Sequence, residues 1–504
     1  MKKQLILNFV FMGIFLTSFA QNTFYKSFDI LGLNKVIRTH DNGFACVTND
    51  GLLKLNSDAE YEFYKTYSNA SSFDFTIITQ TTDNGYIIGT RNNTQNSQEL
   101  TRLVKFDKNG NYQWTKRYYY HTNTTVQTQD IIGSHDNGFY LMGSGCIGSP
   151  ILLRCDQNGD VIWQKRSNYS NANRMIKFSD EAFIIAGSSV VSNNNRKVWV
   201  SMIDSSGNFL WQKEYNNNRV NFVKDIIQTG NNEISILINS QDSLSFISNA
   251  TSSVLQINSL GNLISTSTIS SDAQVNYHQM NSFAITQDDG FVFTGTLSLL
   301  TPGTKIIFSK TNSSNNSVWT NYFGNIAYNN AGTNEGIQIF EDGNGYIIFS
   351  RNEDGLSIGK IDGNGSGFCN KESLNFTSSR EEFIVSTSTL VLFPTSFDYE
   401  NIEMSFSNYI AGMTVHCSVL TSTSEQINPN EILCYPNPTS GQVFLEAERM
   451  QQLSIFDVNG TLKKQLTLND EAILNVDMTD LPKGTYLFKV ITDSGVSVRK
   501  VIYL

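Results

Sequence analysis

Three oxygen-bearing side chains at alternate positions are the most metal-like feature of the sequence. Asp156, Asn158 and Asp160 lie in the stretch CDQNGDVIWQK (155–165), and this spacing is half of a calcium loop of the EF type. The complete loop also needs a glycine at its sixth position and an acid at its twelfth, where this chain has Val161 and Ser167. A type I turn accounts better for the pattern. A weak calcium site at these three residues is the alternative.

No other group of reactive side chains has the spacing of a known catalytic or metal-binding motif. Glu381 and Glu382 are adjacent acids that we expect to be solvated, and a glycosidase would need two acids converging from distant parts of the chain. The histidines form no metal-binding pair and adjoin no nucleophile motif; they are His40, His121, His135, His278 and His416. We therefore predict no catalytic residue, no metal and no cofactor.

The elements that carry these residues are hairpins, and two types of hairpin alternate along the chain. The first type usually turns at Asp-Asn-Gly between alternating apolar arms, and it occupies 34–49, 75–90, 130–144, 173–188, 223–239, 281–295 and 336–350. The second type follows each of these, at 52–67, 103–118, 151–165, 198–215, 253–269, 305–323 and 356–370. Two hairpins make four antiparallel strands, and such units, recurring roughly every 40 to 60 residues, are typical of propeller blades. We number these units 1 to 7.

The ends of the repeat region predict how the ring closes. Unit 7 lacks a fourth strand, and NTFYKSF (22–28) resembles the fourth strands EFYKTYS (62–68) and WTKRYYY (114–120). We therefore expect the N-terminal strand to complete the last blade, which leaves no long sheet edge exposed. The predicted fold is all-β, a seven-bladed propeller of four-stranded antiparallel blades. Six or eight blades are the alternatives, because unit 5 is irregular.

Four tryptophans share one position in the fourth strands of their units, namely Trp114, Trp163, Trp211 and Trp319. A large ring at this position can wedge between neighbouring blades and bury apolar area, so we predict that the four residues dock the blades. An aromatic binding stripe is the alternative. The arrangement Asp-x-x-Gly-x-x-x-Trp resembles the repeat of quinoprotein-type propellers, in which such tryptophans dock blades, but the sequence shows no sign of their cofactor site.

The N-terminus has the three parts of a secretory signal peptide. Lys2 and Lys3 precede an apolar run, and small residues follow it before the expected cleavage between Ala20 and Gln21. The run is too short for a transmembrane helix, and no later segment is long enough to be one. With 36 basic and 46 acidic residues and no basic cluster, the chain is not expected to bind nucleic acid.

The repeat is lost towards the C-terminus, and the predicted organisation reflects this. We expect a signal peptide at 1–20, the propeller at 21–375, a β-rich extension and linker at 376–430 and a C-terminal domain at 431–504. Cys369 and Cys417 both follow the repeats in an irregular region, so we predict that they form the one disulfide among the six cysteines.

The C-terminal domain carries four short motifs. Its Asn-Gly pair is a strong hairpin signal, and the density of short strands predicts a small antiparallel β-sandwich. The motifs are YPNP followed by SG (Pro436, Asn437, Pro438, Gly441), DVNG (Asp457, Asn459, Gly460), LPKGTYLFKV (Gly484, Tyr486) and the basic-then-apolar end VRKVIYL (Lys500).

These motifs, in this order, closely resemble the type A C-terminal sorting domain of the type IX secretion system. The resemblance covers residues 434–504. It implies transit through the periplasm of a Gram-negative bacterium and passage across the outer membrane by the type IX machinery, which would be the partner of this domain. In the family the domain is usually cleaved afterwards, and the cargo is released or attached to the cell surface. The end RKVIYL departs from the commonest basic spacing, which leaves the fate after export open.

Two hypotheses remain for the exported propeller. The first is a non-enzymatic binding or adhesion module that recognises an extracellular glycan or protein. The second is an extracellular polysaccharide hydrolase or lyase with acids gathered at the propeller channel. In either case we expect the function to lie where the repeats differ.

Overall fold

The structure is a computed structural model that describes most of the chain. The described residues are 21–30, 32–67, 73–92, 99–119, 126–145, 150–167, 171–192, 194–243, 250–271, 275–299, 303–323, 334–343, 345–352, 355–367, 371–387, 392–394, 398–421, 433–457, 461–492 and 495–504. The predicted signal peptide with Ala20, and also Cys369, Asn459 and Gly460, lie outside them, as does the side chain of Cys417.

The described residues form β-strands and turns, with a single 3-10 turn at Gly230–Asn232. None of the helical structure in this part of the chain is long and apolar enough to cross a membrane. The residues after position 20 divide into two compact bodies, Gln21–Leu420 and Thr421–Leu504, and each is described by itself.

The first body begins with β1 (Gln21–Phe28). The strands of units 1 to 3 are β2 (Lys35–Arg38), β3 (Phe44–Val47), β4 (Gly51–Leu55), β5 (Tyr61–Tyr67), β6 (Phe73–Gln80), β7 (Tyr86–Asn92), β8 (Glu99–Phe106), β9 (Tyr112–Tyr119), β10 (Val126–Gly133), β11 (Phe139–Gly145), β12 (Pro150–Cys155) and β13 (Val161–Ser167).

The strands of units 4 to 7 are β14 (Ala172–Lys177), β15 (Ala182–Ser192), β16 (Asn195–Asp204), β17 (Phe209–Asn216), β18 (Val220–Gln228), β19 (Ile234–Gln241), β20 (Thr251–Ile257), β21 (Leu263–Ser271), β22 (Val275–Ile285), β23 (Phe291–Leu299), β24 (Thr304–Thr311), β25 (Ser317–Phe323), β26 (Glu335–Asp342), β27 (Gly345–Asn352) and β28 (Gly355–Asp362). Consecutive strands of each unit pair antiparallel, which is the pairing that the two hairpins predict.

The N-terminal strand joins the last unit. β1 pairs antiparallel with β28, from Phe24 opposite Lys360 to Phe28 opposite Leu356. The first strands of consecutive units are neighbours, and β26 of unit 7 lies beside β2 of unit 1. The predicted closure by the N-terminal strand is therefore present in the pairing.

Strands beyond the repeats form a segment that we call the belt, residues 372–421. Each belt strand pairs with the fourth strand of one unit, in the order of units 6, 5, 4, 3, 2, 1 and 7. The belt therefore runs backwards along the units and adds a fifth strand to every one of them. Its strands are β29 (Glu372–Leu374), β30 (Phe376–Ser379), β31 (Ile384–Thr387), β32 (Leu392–Pro394), β33 (Asp398–Asn401), β34 (Phe406–Asn408) and β35 (Met413–Thr421).

The apolar core of this body lies between the units. Seven clusters of buried side chains each combine residues of two consecutive units, including one cluster shared by units 7 and 1. The strands carry Val, Ile, Leu and Phe on both faces. This suits the arrangement, because each sheet packs against a neighbouring sheet on either side.

The second body is a small sheet structure around one apolar cluster. The strands pair in the order β36, β37, β39, β40, and β38 pairs with β37. The register shifts between Glu446 and Met450, so the first half of β37 pairs with β36 and the second half with β39. Its strands are β36 (Leu433–Tyr435), β37 (Gln442–Asp457), β38 (Leu462–Asp477), β39 (Gly484–Thr492) and β40 (Gly495–Tyr503).

Candidate functional site

The first strands of units 2 to 7 share a β-bulge. A register shift occurs in each of them nearly the same distance before the turn, and a bulge of this kind re-aims the side chain beside it. In unit 1, Lys35 holds the equivalent sequence position. The residues directly after the bulges are Ile77, Asp130, Arg174, Asp225, Ser282 and Gln338.

A cavity of about 370 Å³ lies where these first strands meet, and residues from all seven units line it. Lys35, Asp130, Arg174, Asp225 and Gln338 give it a polar layer. Residues two positions further along a strand share the same face, and here they form an apolar layer of the same cavity, namely Ile37, Ile176, Ile227 and Phe340. The cavity therefore has both a polar layer and an apolar layer.

One acid of the cavity is fully engaged by the protein. Lys35 Nζ forms an ion pair with Asp130 Oδ1, whose side chain is 2% exposed. The amide of Met175 donates to Asp130 Oδ2 at 2.9 Å, and the amide of Ile131 donates to Oδ1 at 3.0 Å. Both oxygens of this carboxylate thus have donors from other units or from its own strand.

A second pair of opposite charges, Arg174 and Asp225, faces the cavity without forming an ion pair. Arg174 donates from Nη1 to the carbonyl of Asn173 at 2.9 Å, and it forms no ion pair with any described residue. Asp225 accepts from the amide of Ile226 at 3.0 Å, while its buried Oδ2 has no hydrogen-bond partner within the described chain. Burial raises the pKa of the Asp225 carboxyl, and the charge of Arg174 and the nearby hydroxyl group of Ser282 oppose this rise.

Further charges lie beside this pair. Burial lowers the pKa of Lys224, and the charge of Arg174 lowers it further against the opposing effect of Glu335. Glu335 itself pairs with Arg351 at 2.6 Å and accepts from the Asn281 amide at 3.0 Å. Arg174 therefore has a second cation, Lys224, in its surroundings as well as Asp225.

Sequence reasoning did not select the residues of this cavity. They are scattered over seven units, and within each strand they stand among other polar residues that do not line the cavity. A usable signal was present, because Lys35, Asp130, Arg174 and Asp225 each stand nine residues before a large apolar residue at the start of the second strand of their unit, namely Phe44, Phe139, Phe183 and Ile234. Aligning the units at that residue would have brought the charges together.

The predicted docking tryptophans contact the following unit. The indole Nε1 atoms of Trp163, Trp211 and Trp319 donate to the carbonyls of Ser205, Ser259 and Gly363 at 3.0, 2.8 and 3.1 Å. Each carbonyl belongs to the second-type turn of the next unit. Trp114 stacks on Phe139 of unit 3 at 6.5 Å between ring centroids.

The acids of the calcium-like stretch are used by the turn and by an ion pair. The amide of Gly159 donates to the Asp156 carbonyl at 3.1 Å, which closes a turn of the predicted kind. The amides of Asn158 and Asp160 both donate to Asp156 Oδ1 at 2.8 Å. Asp160 pairs with Lys116 of unit 2. No group of three acid, histidine or cysteine side chains suited to a metal ion occurs within the described ranges.

A repeated ion pair that the sequence reasoning missed supports the first-type turns. In five units, a cation of the third strand pairs with the acid of the turn. These cations are nearly buried in units 1 to 3. The pairs are Lys54–Asp41, Lys105–Asp83, Arg154–Asp136, Lys310–Asp288 and Lys360–Asp342. Unit 4 has Met202 in place of the cation, and its turn acid, Asp180, is 71% exposed and pairs with Lys177 instead.

The motif residues of the C-terminal body hold each other in place. The Asn437 amide donates to the Lys500 carbonyl at 2.6 Å, and Asn437 Oδ1 accepts from the amide of Ile502 at 2.9 Å. This side chain therefore fastens the YPNP segment, with Pro436 and Pro438, to the final strand. Gly441 has a φ of 145° and accepts from the Met478 amide at 2.7 Å.

The two remaining motifs also make local contacts. Asp457 accepts from the amide of Thr461 at 2.9 Å and pairs with Lys463 at 3.0 Å, which brackets the hairpin turn. Tyr486 is buried and donates from its hydroxyl to the Pro482 carbonyl at 2.5 Å. Gly484 begins β39 with a φ of 157°.

Comparison with solved structures finds distant similarities. The similar chains include the WD40 domain of Pan2 from Neurospora crassa, at 8% identity and a TM-score of 0.29, covering 66% of this chain and 76% of that one. Raptor from Chaetomium thermophilum shares 8% identity, covers 70% of this chain and 30% of that one, and has a TM-score of 0.43. PorZ, a surface component of the type IX secretion system of Porphyromonas gingivalis, shares 10% identity at a TM-score of 0.22, covering 94% and 87%.

Sequence comparison identifies the C-terminal body. No curated protein matches the chain. Residues 433–503 match the family of secretion system C-terminal sorting domains, over the range that carries the four motifs and the contacts between them. This confirms the resemblance found in the sequence. The segment 433–503 is therefore a C-terminal sorting domain, and the protein is exported by the type IX secretion system.

Proposed function

We propose that residues 21–421 are one seven-bladed β-propeller that acts outside the cell as a non-enzymatic binding module for a glycan. The seven four-strand units would be its blades, and the sorting domain would be a small β-sandwich. The cluster shared by units 7 and 1 and the pairing of β1 with β28 support a closed ring. The four tryptophans would dock the blades, because three of them donate to turns of the next unit.

The observation that carries the binding function is the cavity at the first strands. Arg174 and Asp225 face it with hydrogen-bonding capacity that the protein does not use. Unused buried polar groups cost free energy, and a ligand with both donors and acceptors would satisfy them. Sugar hydroxyl groups donate and accept at once, so a glycan unit fits this requirement.

A hydrolase or lyase is the second candidate, and one observation favours it. Burial raises the pKa of Asp225, which is the property of a general acid. The second acid argues against it, because Asp130 is tied to Lys35 and two backbone amides. A glycosidase needs its second carboxylate free to act as a base or nucleophile.

The test is a glycan screen of the chain that begins at Gln21 and ends at Leu504. Saturable binding without release of shorter fragments is expected. Turnover of a bound polysaccharide would replace the binding function with the enzymatic one. Absence of binding across neutral and acidic glycans would overturn the proposal.

A further inference from the structure

The charges of the cavity leave one cation unmatched. Lys35 is paired with Asp130. Arg38 lies 3.5 Å from Asp342 and donates to the Glu341 carbonyl at 2.8 Å. Arg174 is the remaining cation of the lining, and within the described ranges its hydrogen-bond partner is the neutral carbonyl of Asn173.

The nearest acid does not neutralise Arg174. Asp225 influences Arg174 electrostatically but is not within ion-pair distance of it. Lys224 adds a second cation near Arg174, and the acid beside Lys224, Glu335, is already paired with Arg351. A ligand placed between Arg174 and Asp225 therefore meets a net positive environment on the side of Arg174.

The shape of the cavity limits what such a ligand can be. Its volume of about 370 Å³ is at the lower end of the range for small-ligand sites, which is about 300 to 1,000 Å³. The apolar layer of Ile37, Ile176, Ile227 and Phe340 lies along one side. A single sugar ring has an apolar C–H face that can lie on this apolar layer. Its polar edges can contact the polar layer.

Resting on the proposed glycan binding, we propose that the cavity recognises a uronic acid unit. The sugar carboxylate binds the guanidinium of Arg174, which offers a planar fork of donors that matches a carboxylate. A hydroxyl group of the same ring donates to the free oxygen of Asp225, and the C–H face lies on the apolar layer. A neutral hexose could fill the same volume, but it would leave the charge of Arg174 unmatched.

The experiment compares sugars that differ only at carbon 6. Methyl glycosides of glucuronic, galacturonic and mannuronic acid are titrated against the chain Gln21–Leu504, beside the methyl glycosides of glucose, galactose and mannose. We expect at least one acid to bind about 10-fold or more tightly than its neutral partner, as charge-assisted hydrogen bonds imply. Arg174→Gln should abolish this preference, and Asp225→Asn should weaken the acidic and neutral members alike.

A matched control separates the cavity from general charge. Arg166 is exposed on β13, away from the cavity, so Arg166→Gln should leave the preference unchanged. Arg174→Lys keeps the charge without the fork and should retain part of the preference, which serves if the glutamine variant does not fold. If no acid binds more tightly than its neutral partner, the inference is wrong even when glycans bind. If no glycan binds at all, the proposed function itself is wrong.

Discussion

At the scale of single residues, the chain places nearly buried cations in the third strands of units 1 to 3. The side chain of Arg154 is 6% exposed and pairs with Asp136 at 2.6 Å. Burial alone would raise the pKa of Asp136, but the Ser134 hydroxyl and the Arg154 guanidinium outweigh it and lower the pKa to about 2. The pair thus links the third strand of unit 3 to the turn between its first two strands.

Replacing the acid of this pair should destabilise the protein in a pH-dependent way. Asp136→Asn leaves the buried charge of Arg154 without a counter-charge, and we expect a loss of about 1 to 3 kcal/mol at pH 6, since Asp136 is partly solvated. Because the folded pKa lies below the ordinary value, the stabilisation is present above about pH 4 and fades as the pH falls towards 2. Urea unfolding at pH 6 and pH 3 measures both effects.

Unit 4 supplies the control for this prediction. Asp180 occupies the equivalent turn, but Met202 replaces the cation of the third strand, so Asp180→Asn should change the unfolding free energy little. Adding Arg154→Met to Asp136→Asn also removes the buried cation, where unit 4 has Met202, and should recover part of the loss. An equal loss in the Asp136 and Asp180 variants would contradict the role of the ion pair.

At the scale of elements, one glycine serves both the turn and the contact between units. Gly261 has a φ of 74°, and a Cβ atom there would lie 2.8 Å from the Trp211 ring. Gly110, Gly159, Gly207 and Gly365 meet Phe63, Trp114, Trp163 and Trp319 in the same way. The turn of one unit, which begins with Asp or Asn and ends with Gly, therefore packs against the aromatic residue of the preceding unit.

Adding one methyl group at Gly261 should destabilise the protein. Gly261→Ala places alanine in the left-handed region and presses on Trp211, and we expect a loss of about 2 to 4 kcal/mol in the free energy of unfolding. Gly230→Ala is the matched control, because nothing lies within 4 Å of a Cβ atom there. Thermal unfolding of the two variants tests this contact, and equal melting temperatures would show that the contact is unimportant.

The sorting domain depends on one side chain that joins its first and last motifs. Asn437→Ala removes two hydrogen bonds to β40, and we expect the domain to lose about 1 to 3 kcal/mol. The amount of protein exported by the native bacterium should fall with it, measured as the ratio of external to cell-associated chain. Asn475→Ala changes an exposed residue of β38 and should leave export unaltered. Undiminished export of the Asn437 variant would mean that the secretion machinery reads this motif in another way.

At the scale of the whole molecule, the sequence predicts the features that depend on residues close together in the chain. Turn residues and period-2 alternation specify the hairpins, and similarity between 22–28 and the other fourth strands specifies the pairing of β1. The belt strands are three to nine residues long, and β31 is exposed along its length, so the sequence predicts a β-rich extension but not the pairing of its strands with the units. The cavity was missed for a related reason, since Asp130 and Asp225 acquire their environments only when seven strands converge.

The belt has a consequence that truncation can measure. A chain ending at residue 370 would leave the outer edges of all seven units unpaired, and exposed edges favour aggregation. Each belt strand adds backbone hydrogen bonds worth about 0.5 to 1.5 kcal/mol apiece, so we expect the melting temperature to fall by more than about 10 °C and the chain to associate.

A chain ending at residue 421 keeps the belt and loses only the sorting domain, so it should remain monomeric and melt as the full chain does. Scanning calorimetry with light scattering compares the two. Because the belt pairs with unit 7 last, next to β1, a shortened chain that stayed monomeric with an unchanged melting temperature would show that the units are stable without the belt.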